Sequence, residues 1–138
     1  METETQIDSV KFVVRALIKN NLNQVLVLQR PDGRWCLPGG KINPDEQDPI
    51  LALKREIFEE LKLQVVAQNL FKTLEGTVDN KLWHNAYFCT QVEQYEQIEL
   101  DTRESIQYRW INAISVINYV FAFGNDKVIE SFFETIEA

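Results

Sequence analysis

The sequence predicts an α/β protein in which a mixed β-sheet carries helices on both faces. Segments with the composition of strands alternate with segments that have the periodicity of helices, and no linker interrupts them. A glycine-containing loop also runs directly into a well-capped helix in the first half of the chain. At 138 residues, 45% of them hydrophobic, the chain is long enough to bury the core of one domain.

The first third of the chain is predicted to contain three strands. Val10–Ile18 and Val25–Arg30 are rich in branched and other apolar residues, and an Asn-Asn-Leu-Asn turn at 20–23 joins them. A second turn at 31–34 contains proline and glycine and leads to a short strand at 35–37. The first two strands should therefore be connected by a tight turn, and the third should deliver the chain to the glycine loop.

A helix is predicted from Pro49 to Lys62, after the Gly39-Gly40 loop. Asp48 supplies an oxygen that can cap the first turn, and Pro49 suits the first helical position. The glycines allow a sharp turn and a close approach of the backbone to another group. The order of these residues predicts a flexible loop that runs into a firmly started helix.

The second half of the chain is predicted to contain a long hairpin, a loop, a strand and two helices. Their predicted bounds are 64–78 and 81–92 for the hairpin strands around an Asp79-Asn80 turn, 93–104 for the loop, 106–111 for the strand, and 112–120 and 125–136 for the helices. The loop has five carboxylates and no apolar period, and Asn125 or Asp126 is expected to cap the last helix.

Three glutamates give the first helix its most informative feature. At about 100° per residue, Glu56, Glu59 and Glu60 share one arc, while apolar residues cover most of the rest of the helix. Like charges at these spacings destabilise an isolated helix by roughly a few tenths of a kcal/mol per pair. Such an arc is usually a solvated surface, but it is also suited to holding a divalent cation, because hard oxygen ligands select magnesium, manganese or calcium.

At these residues the chain resembles the Nudix family. Gly40, Glu46 and the run Arg55-Glu56-Ile57-x-Glu59-Glu60 look like the loop–helix motif known as the Nudix box, here spanning about residues 40–63. The resemblance implies a Nudix-type α/β/α sandwich with a mixed β-sheet, formed as one domain by residues 1–138. It further implies an enzyme, a Nudix hydrolase acting on phosphoric anhydrides. The segment before the box, Trp35-x-Leu37-Pro38-Gly39-Gly40, also resembles the corresponding segment of the family.

The box departs from the family pattern at two positions. Eight residues separate Glu46 from Arg55, one more than is usual, so either Glu46 or Gln47 takes the box glutamate position. Lys62 stands where the family has glycine, which suits a left-handed helix end. A lysine in that conformation costs roughly 1 kcal/mol, part of which its charge recovers from the helix dipole.

The resemblance also implies roles for individual residues. A magnesium or manganese ion is expected on the Gly40 carbonyl, Glu56, Glu59 and Glu60, with Glu104 as an additional ligand and Asp101 and Glu99 as its rivals. The catalytic set is expected to be Glu59, Glu60, Arg55 and Glu56, with Arg55 able to pair with Glu59 one turn away. Arg30, Arg34 and Lys41 flank the glycine loop and are candidate phosphate-binding residues, although surface solvation is the simpler interpretation of each.

The nucleoside-binding residues are harder to predict. Aromatic side chains that could stack on a base lie more often in a core than in a site. Six aromatic residues come into question: Trp35, Trp83, Tyr87, Trp110, Phe121 and Phe123. His84, which is the one histidine of the chain, has a pKa range suited to a base but sits in an expected strand, where an ordinary surface role is the simpler interpretation.

Charge and composition limit the partners. With 14 basic and 21 acidic residues the net charge is −7, which disfavours nucleic acid, whose binding depends on neutralising phosphates. No apolar run approaches the length of a membrane span, and Met1–Ser9 lacks the pattern of a signal peptide. We expect a cytoplasmic protein, monomer or homodimer, whose partner is a small-molecule nucleotide.

The expected reaction is magnesium-dependent cleavage of a nucleoside diphosphate linked to another moiety. A (deoxy)nucleoside triphosphate, split into monophosphate and pyrophosphate by a MutT-like enzyme, is favoured by the small size of the chain and by its Trp-x-Leu-Pro-Gly-Gly-Lys stretch. A nucleotide-sugar or other nucleotide-derivative hydrolase remains an alternative. Two further alternatives are a non-catalytic nucleotide-sensing module, which the intact glutamates disfavour, and an RNA decapping hydrolase, which the net charge disfavours.

Overall fold

A computed structural model describes residues 9–137 of the chain. Met1–Asp8, which hold most of the segment examined for a signal peptide, and Ala138 lie outside this range, so the predicted extent of the domain is described only within it. The elements are β1 (Ser9–Ile18), β2 (Val25–Gln29), β3 (Trp35–Cys36), β4 (Gly39–Lys41), α1 (Pro49–Leu61), β5 (Val65–Val78), β6 (Lys81–Val92), β7 (Gln107–Ile111) and α2 (Asn125–Glu137). Each predicted strand has a counterpart within one or two residues, and β4 is an additional strand formed by the glycine loop itself.

The strands form two sheets. The larger has the order β4-β1-β6-β5, in which β1 and β6 are parallel and the other pairs are antiparallel. The smaller is antiparallel, with the order β3-β2-β7. The β5–β6 hairpin turns at Asp79-Asn80, where both residues have positive φ (51° and 61°), as a tight hairpin turn requires.

The helices lie on opposite sides of these strands, each over its own core. Side chains of β1 and β2 alternate between the two sides: Val14 and Leu26 pack with α1, whereas Leu17 and Val25 pack with α2. This alternation follows from the two-residue period of a strand and explains why both segments are apolar almost throughout. The predicted α/β/α sandwich with a mixed sheet is confirmed.

The ends of α1 follow from its sequence. The Asp48 carboxylate accepts a hydrogen bond from the Ile50 amide at 2.9 Å, which caps the helix as predicted. At the other end, Lys62 has the left-handed conformation (φ 58°, ψ 33°), and its amide donates to the Phe58 carbonyl at 2.9 Å. Lys62 therefore takes the conformation for which a glycine is best suited.

The structure corrects two predictions about the last third of the chain. The short helix predicted at 112–120 is a 3₁₀-helix, Ile114–Asn118, and not an α-helix. Its core-facing residues, Ala113, Val116 and Tyr119, recur every three residues, which is the period of a 3₁₀-helix. Ile114 and Ile117 are both 87% exposed, and Asn112 and Ser115 close a local turn.

Asn125 does not cap α2. Its side chain is buried, accepts a hydrogen bond from the Leu37 amide at 2.8 Å and donates one to the Tyr87 hydroxyl at 3.1 Å. These bonds tie the start of α2 to the strand that leads into the glycine loop. Within residues 9–137, neither helix is long and apolar enough to cross a lipid bilayer.

Candidate active site

The glycine loop lies against the carboxylate-bearing face of α1. Gly39 has a φ of +142°, and a Cβ atom there would collide with the backbone of Val14 and Arg15 on the paired strand β1. A Cβ atom on Gly40 would lie 2.6 Å from Glu56 Oε2. Both positions therefore require glycine, the first for its conformation and the second because the Glu56 carboxylate occupies the space.

Glu60 is the buried carboxylate of the cluster. It is only 6% exposed, and its Oε1 atom accepts a hydrogen bond from the Gly39 amide at 2.8 Å. Burial raises the pKa of Glu60 to about 8, and the negative charges of Glu56 and Glu104 add to that rise. A carboxylate in such surroundings is stabilised in its charged form by a nearby cation.

Arg55 links the box glutamates. It donates two hydrogen bonds to Glu46, both at 2.8 Å, one to Glu56 at 3.0 Å and one to Glu59 at 3.1 Å. The guanidinium holds the pKa of Glu46 at about 2. Glu46, and not Gln47, therefore takes the box position opposite Arg55, and the pairing predicted with Glu59 is one of three that Arg55 makes.

Burial raises the pKa of Glu56 as well, against the effect of Arg55. The charges of Glu59 and Glu104 contribute to the rise, so these carboxylates repel one another. Glu59 is the most solvated member of the box, with 56% of its side chain exposed. The helix thus presents one buried, one half-buried and one exposed carboxylate to the same side.

Glu104 is the loop carboxylate that reaches the cleft. Asp101, its first rival, is paired with Arg103 at 2.8 Å, which lowers the pKa of Asp101 to about 2. The backbone amides of Asp101 and Glu99 donate to the Glu60 and Leu61 carbonyls, so the loop is fastened to the end of α1. That attachment carries Glu104 to the side of the helix on which the other glutamates lie.

Of the three helix glutamates, Glu60 lines a cleft of about 950 Å³, whereas Glu56 and Glu59 do not. Glu60, Glu104, Gly39 and Gly40 line it together with two of the predicted phosphate-binding residues, Arg30 and Lys41. Arg34 is not among the lining residues: it is exposed and pairs with Asp32 at 2.9 Å in the turn. The structure therefore brings Arg30 and Lys41 to the carboxylates and leaves Arg34 outside.

The aromatic candidates divide between core and cleft. Trp35 and Tyr87 are buried, and Trp110 packs against Tyr95. Phe121 contacts Tyr119 next to the core on the α2 side. Trp83 and Phe123 line the cleft.

His84 pairs with Glu75 at 2.7 Å on the outer part of the hairpin. It lines a second, smaller cavity and not the cleft that holds the carboxylates.

Arg15 is a cleft residue that was not predicted. It lies in the buried part of β1, is 8% exposed, and donates to the Leu37 carbonyl at 2.9 Å. Its Nε atom is buried and has no hydrogen-bond partner among residues 9–137. A charged residue inside the apolar run from Phe12 to Ile18 is the sequence signal that could have identified it, because buried charges are rare without a partner.

The donor atoms suit a hard divalent cation. Glu56, Glu59, Glu60, Glu104 and the Gly40 carbonyl offer oxygen ligands, the set preferred by magnesium and manganese. Glu60 and Glu56 are carboxylates whose pKa values are raised partly by their neighbours, as expected where a cation would relieve the repulsion. In the described part of the chain no three such side chains converge on a preformed metal position, and Arg55 pairs with Glu56 and Glu59.

The fold is an α/β/α sandwich. Its candidate site combines a loop and a helix that carry glutamates with an open cleft that cationic residues also line. Residues 11–132 match the family model of the NUDIX domain. The chain therefore belongs to the Nudix family and is a Nudix hydrolase, a family whose members generally use divalent metals. None of the curated proteins compared with the chain matches its sequence significantly.

Solved structures share the fold. A MutT protein from Methanosarcina mazei Go1 is 23% identical, with a TM-score of 0.78 over 98% of this chain and 99% of that one. An ADP-ribose pyrophosphatase from Streptococcus suis is 20% identical, with a TM-score of 0.73 over 93% and 92%. An Ap4A hydrolase from C. elegans is 18% identical, with a TM-score of 0.75 over 92% and 98%. At these identities the likeness establishes the fold alone.

Proposed function

We propose that this chain is a magnesium- or manganese-dependent pyrophosphohydrolase that cleaves a nucleoside diphosphate linked to another moiety. Its proposed substrate is a (deoxy)nucleoside triphosphate, which it would split into the monophosphate and pyrophosphate. The observation that carries the proposal is Glu60, a buried carboxylate held by the Gly39 amide and lining a cleft that Arg30 and Lys41 also line. Carboxylates and cations side by side are what a metal-bound polyphosphate requires.

We assign a separate role to each group of residues in the site. Glu56, Glu59, Glu60, Glu104 and the Gly40 carbonyl would hold the metal, which when bound neutralises phosphate charge and lowers the pKa of water. Arg30 and Lys41 would bind phosphate oxygens, and Arg55 would keep the box glutamates in position. A carboxylate of this cluster would orient or deprotonate the attacking water, whose oxygen bonds to phosphorus as the bridging P–O bond breaks.

The lining of the cleft and the relatives that share the fold both support the proposed substrate class. Two of those relatives are named for nucleotide substrates, ADP-ribose and Ap4A, and a third is a MutT protein. A nucleoside triphosphate is preferred here because one part of the cleft is charged and the other is aromatic and apolar, which suits one polyphosphate and one base.

A substrate panel tests the proposal. The protein is incubated with magnesium and with nucleoside triphosphates, ADP-ribose, nucleotide sugars or a dinucleoside polyphosphate, and the products are separated by ion-exchange chromatography. Release of monophosphate and pyrophosphate from a triphosphate supports the proposal. Cleavage of ADP-ribose or a nucleotide sugar alone would reassign the substrate, and cleavage of none would favour a sensing module.

A further inference from the structure

The cleft has two parts that differ in chemistry. Arg15, Arg30, Glu60 and Glu104 line one part, next to the glycine loop. Leu74, Val78 and Trp83, which come from the β5–β6 hairpin, line the other together with the polar residues Glu75 and Asn85. A nucleotide has the same division, with charge on the phosphates and an apolar, planar surface on the base.

Phe123 belongs to the charged part of the cleft, and its ring is already in contact with two arginine side chains. The guanidinium carbons of Arg15 and of Arg30 both lie 4.7 Å from the centroid of its ring. These cation–π contacts occupy the aromatic surface and hold two positive charges beside it. Phe123 therefore carries two such contacts, whereas Trp83, the other aromatic side chain of the cleft, carries one longer contact, from Lys41, and is the better candidate for a base.

Trp83 has open space beside it. In the β5–β6 register it stands directly opposite Gly76, and a Cβ atom built on Gly76 would meet no atom within 4 Å. Leu74 and Val78, two residues to either side of Gly76, point to the same face of the strand and line the same cleft. Lys41 adds a positive charge, with its Nζ atom 5.3 Å from the centroid of the Trp83 ring.

The register also sets the distance to the carboxylates. Gly39, whose amide holds Glu60, pairs with Arg15 on β1, whereas Trp83 pairs with Lys11, four residues earlier on that strand. At the usual rise of a strand, four residues span about 13 Å. That separation leaves room for a ribose and phosphates between a base at Trp83 and a metal at Glu60.

We propose that Trp83 and the gap over Gly76 form the base-binding slot of this enzyme. The nucleobase stacks on the indole, Leu74 and Val78 line the slot, and Lys41 lies between the slot and the glycine loop. This inference rests on the proposed function, because it assumes that the substrate is a nucleotide. Stacking on an indole is available to every base, so the slot provides affinity for nucleotides in general.

Binding of nucleoside 5′-monophosphates tests the slot without turnover. Isothermal titration calorimetry with AMP, GMP, CMP and UMP gives Kd for the wild type and for two variants, Gly76→Val and Trp83→Ala. Gly76→Val fills the gap with a residue that suits a strand, and Trp83→Ala removes the stacking surface. For the monophosphate that binds best, both variants should raise Kd on the order of 10- to 100-fold.

Two matched variants and a baseless ligand serve as controls. Thr77→Val introduces the same valine on the next residue of β5, outside the cleft, and should bind as the wild type does. Trp83→Phe keeps an aromatic surface and should recover most of the affinity. Inorganic phosphate, which has no base, should bind all five proteins equally, and melting temperatures check that each variant folds.

Two outcomes would contradict the proposal that Trp83 and Gly76 form a base-binding slot. One is that Gly76→Val and Trp83→Ala bind the monophosphates as the wild type does. The other is that no monophosphate binds the wild type more tightly than inorganic phosphate. Because these measurements need no hydrolysis, they separate failure of the slot from failure of the proposed reaction, which the substrate panel detects.

Discussion

At the scale of single residues, Glu60 is the side chain on which the proposed chemistry depends most. It is buried, faces the cleft and is held by one backbone amide. Its position follows from two features that the sequence shows plainly: a glutamate on the outer arc of α1 and a glycine at 39. Its burial could not be predicted, because it depends on how the 99–105 loop closes over the end of the helix.

Glu60→Gln should lower kcat at least about 100-fold while the protein stays folded. The amide oxygen of glutamine can still accept from Gly39, but the negative charge is lost. Steady-state kinetics on the substrate identified by the panel measure the effect. Glu99→Gln, an exposed change on the neighbouring loop, is the matched control, and equal kinetics of the two variants would refute the role of Glu60.

Arg30 and Arg34 form a natural pair for testing phosphate binding. Both contact Asp32, but only Arg30 lines the cleft. Arg30→Ala should raise KM several-fold, since it removes a phosphate contact that is present in both the ground and the transition state. Arg34→Ala should leave KM unchanged, and the assignment of Arg30 is wrong if the two variants behave alike.

Arg55 and Glu46 act as one unit, joined by two hydrogen bonds of 2.8 Å. Arg55→Ala and Glu46→Gln should each lower kcat and weaken metal affinity with little change in KM, because both disturb the positions of Glu56 and Glu59. The double variant should be no worse than the poorer single variant, since coupled residues are not additive. Additive losses would show that Arg55 and Glu46 act independently, and a rise in KM alone would show that Arg55 binds phosphate instead.

At the scale of elements, α1 was the most predictable part of the chain. Asp48 and Pro49 define its start, and the apolar and acidic arcs define its two faces. The 112–120 segment was not predictable in the same way, because Val116 is buried while Ile114 and Ile117 remain exposed, and its conformation follows from a local Asn112–Ser115 turn. Asn125 was assigned the wrong partner, since its contact with Leu37 is 88 residues distant in sequence.

The end of α1 offers a stability test. The backbone of Lys62 has the left-handed conformation, so Lys62→Gly should stabilise the protein by up to about 1 kcal/mol. The loss of the hydrogen bond from the Lys62 Nζ atom to the Glu59 carbonyl reduces this gain. Lys54→Gly, the same change inside the helix on an exposed position, should destabilise it by roughly 1 kcal/mol. Urea unfolding measures both. A destabilised Lys62→Gly would mean that the lysine contacts outweigh the backbone strain.

At the scale of the whole molecule, the fold brings together residues that are far apart in the chain. One cleft is lined by Arg15 on β1, Gly40 on β4, Glu60 on α1, Trp83 on β6 and Glu104. The box residues could be predicted because they lie in one continuous stretch. Three features could not be predicted: the position of Arg15 in the cleft, the position of Arg34 outside it and the pairing of Trp83 with Gly76. They depend on strand register, which the sequence does not define by itself.

The central claim of the proposed function is that the clustered carboxylates act through a divalent cation. The most direct test is the hydrolysis rate of the wild-type protein in EDTA, followed by addition of magnesium or manganese in excess. Activity should vanish in EDTA and return with either metal, because these carboxylates cannot stabilise a phosphate anion without a cation. Full turnover in EDTA would contradict the claim and remove the metal from the mechanism.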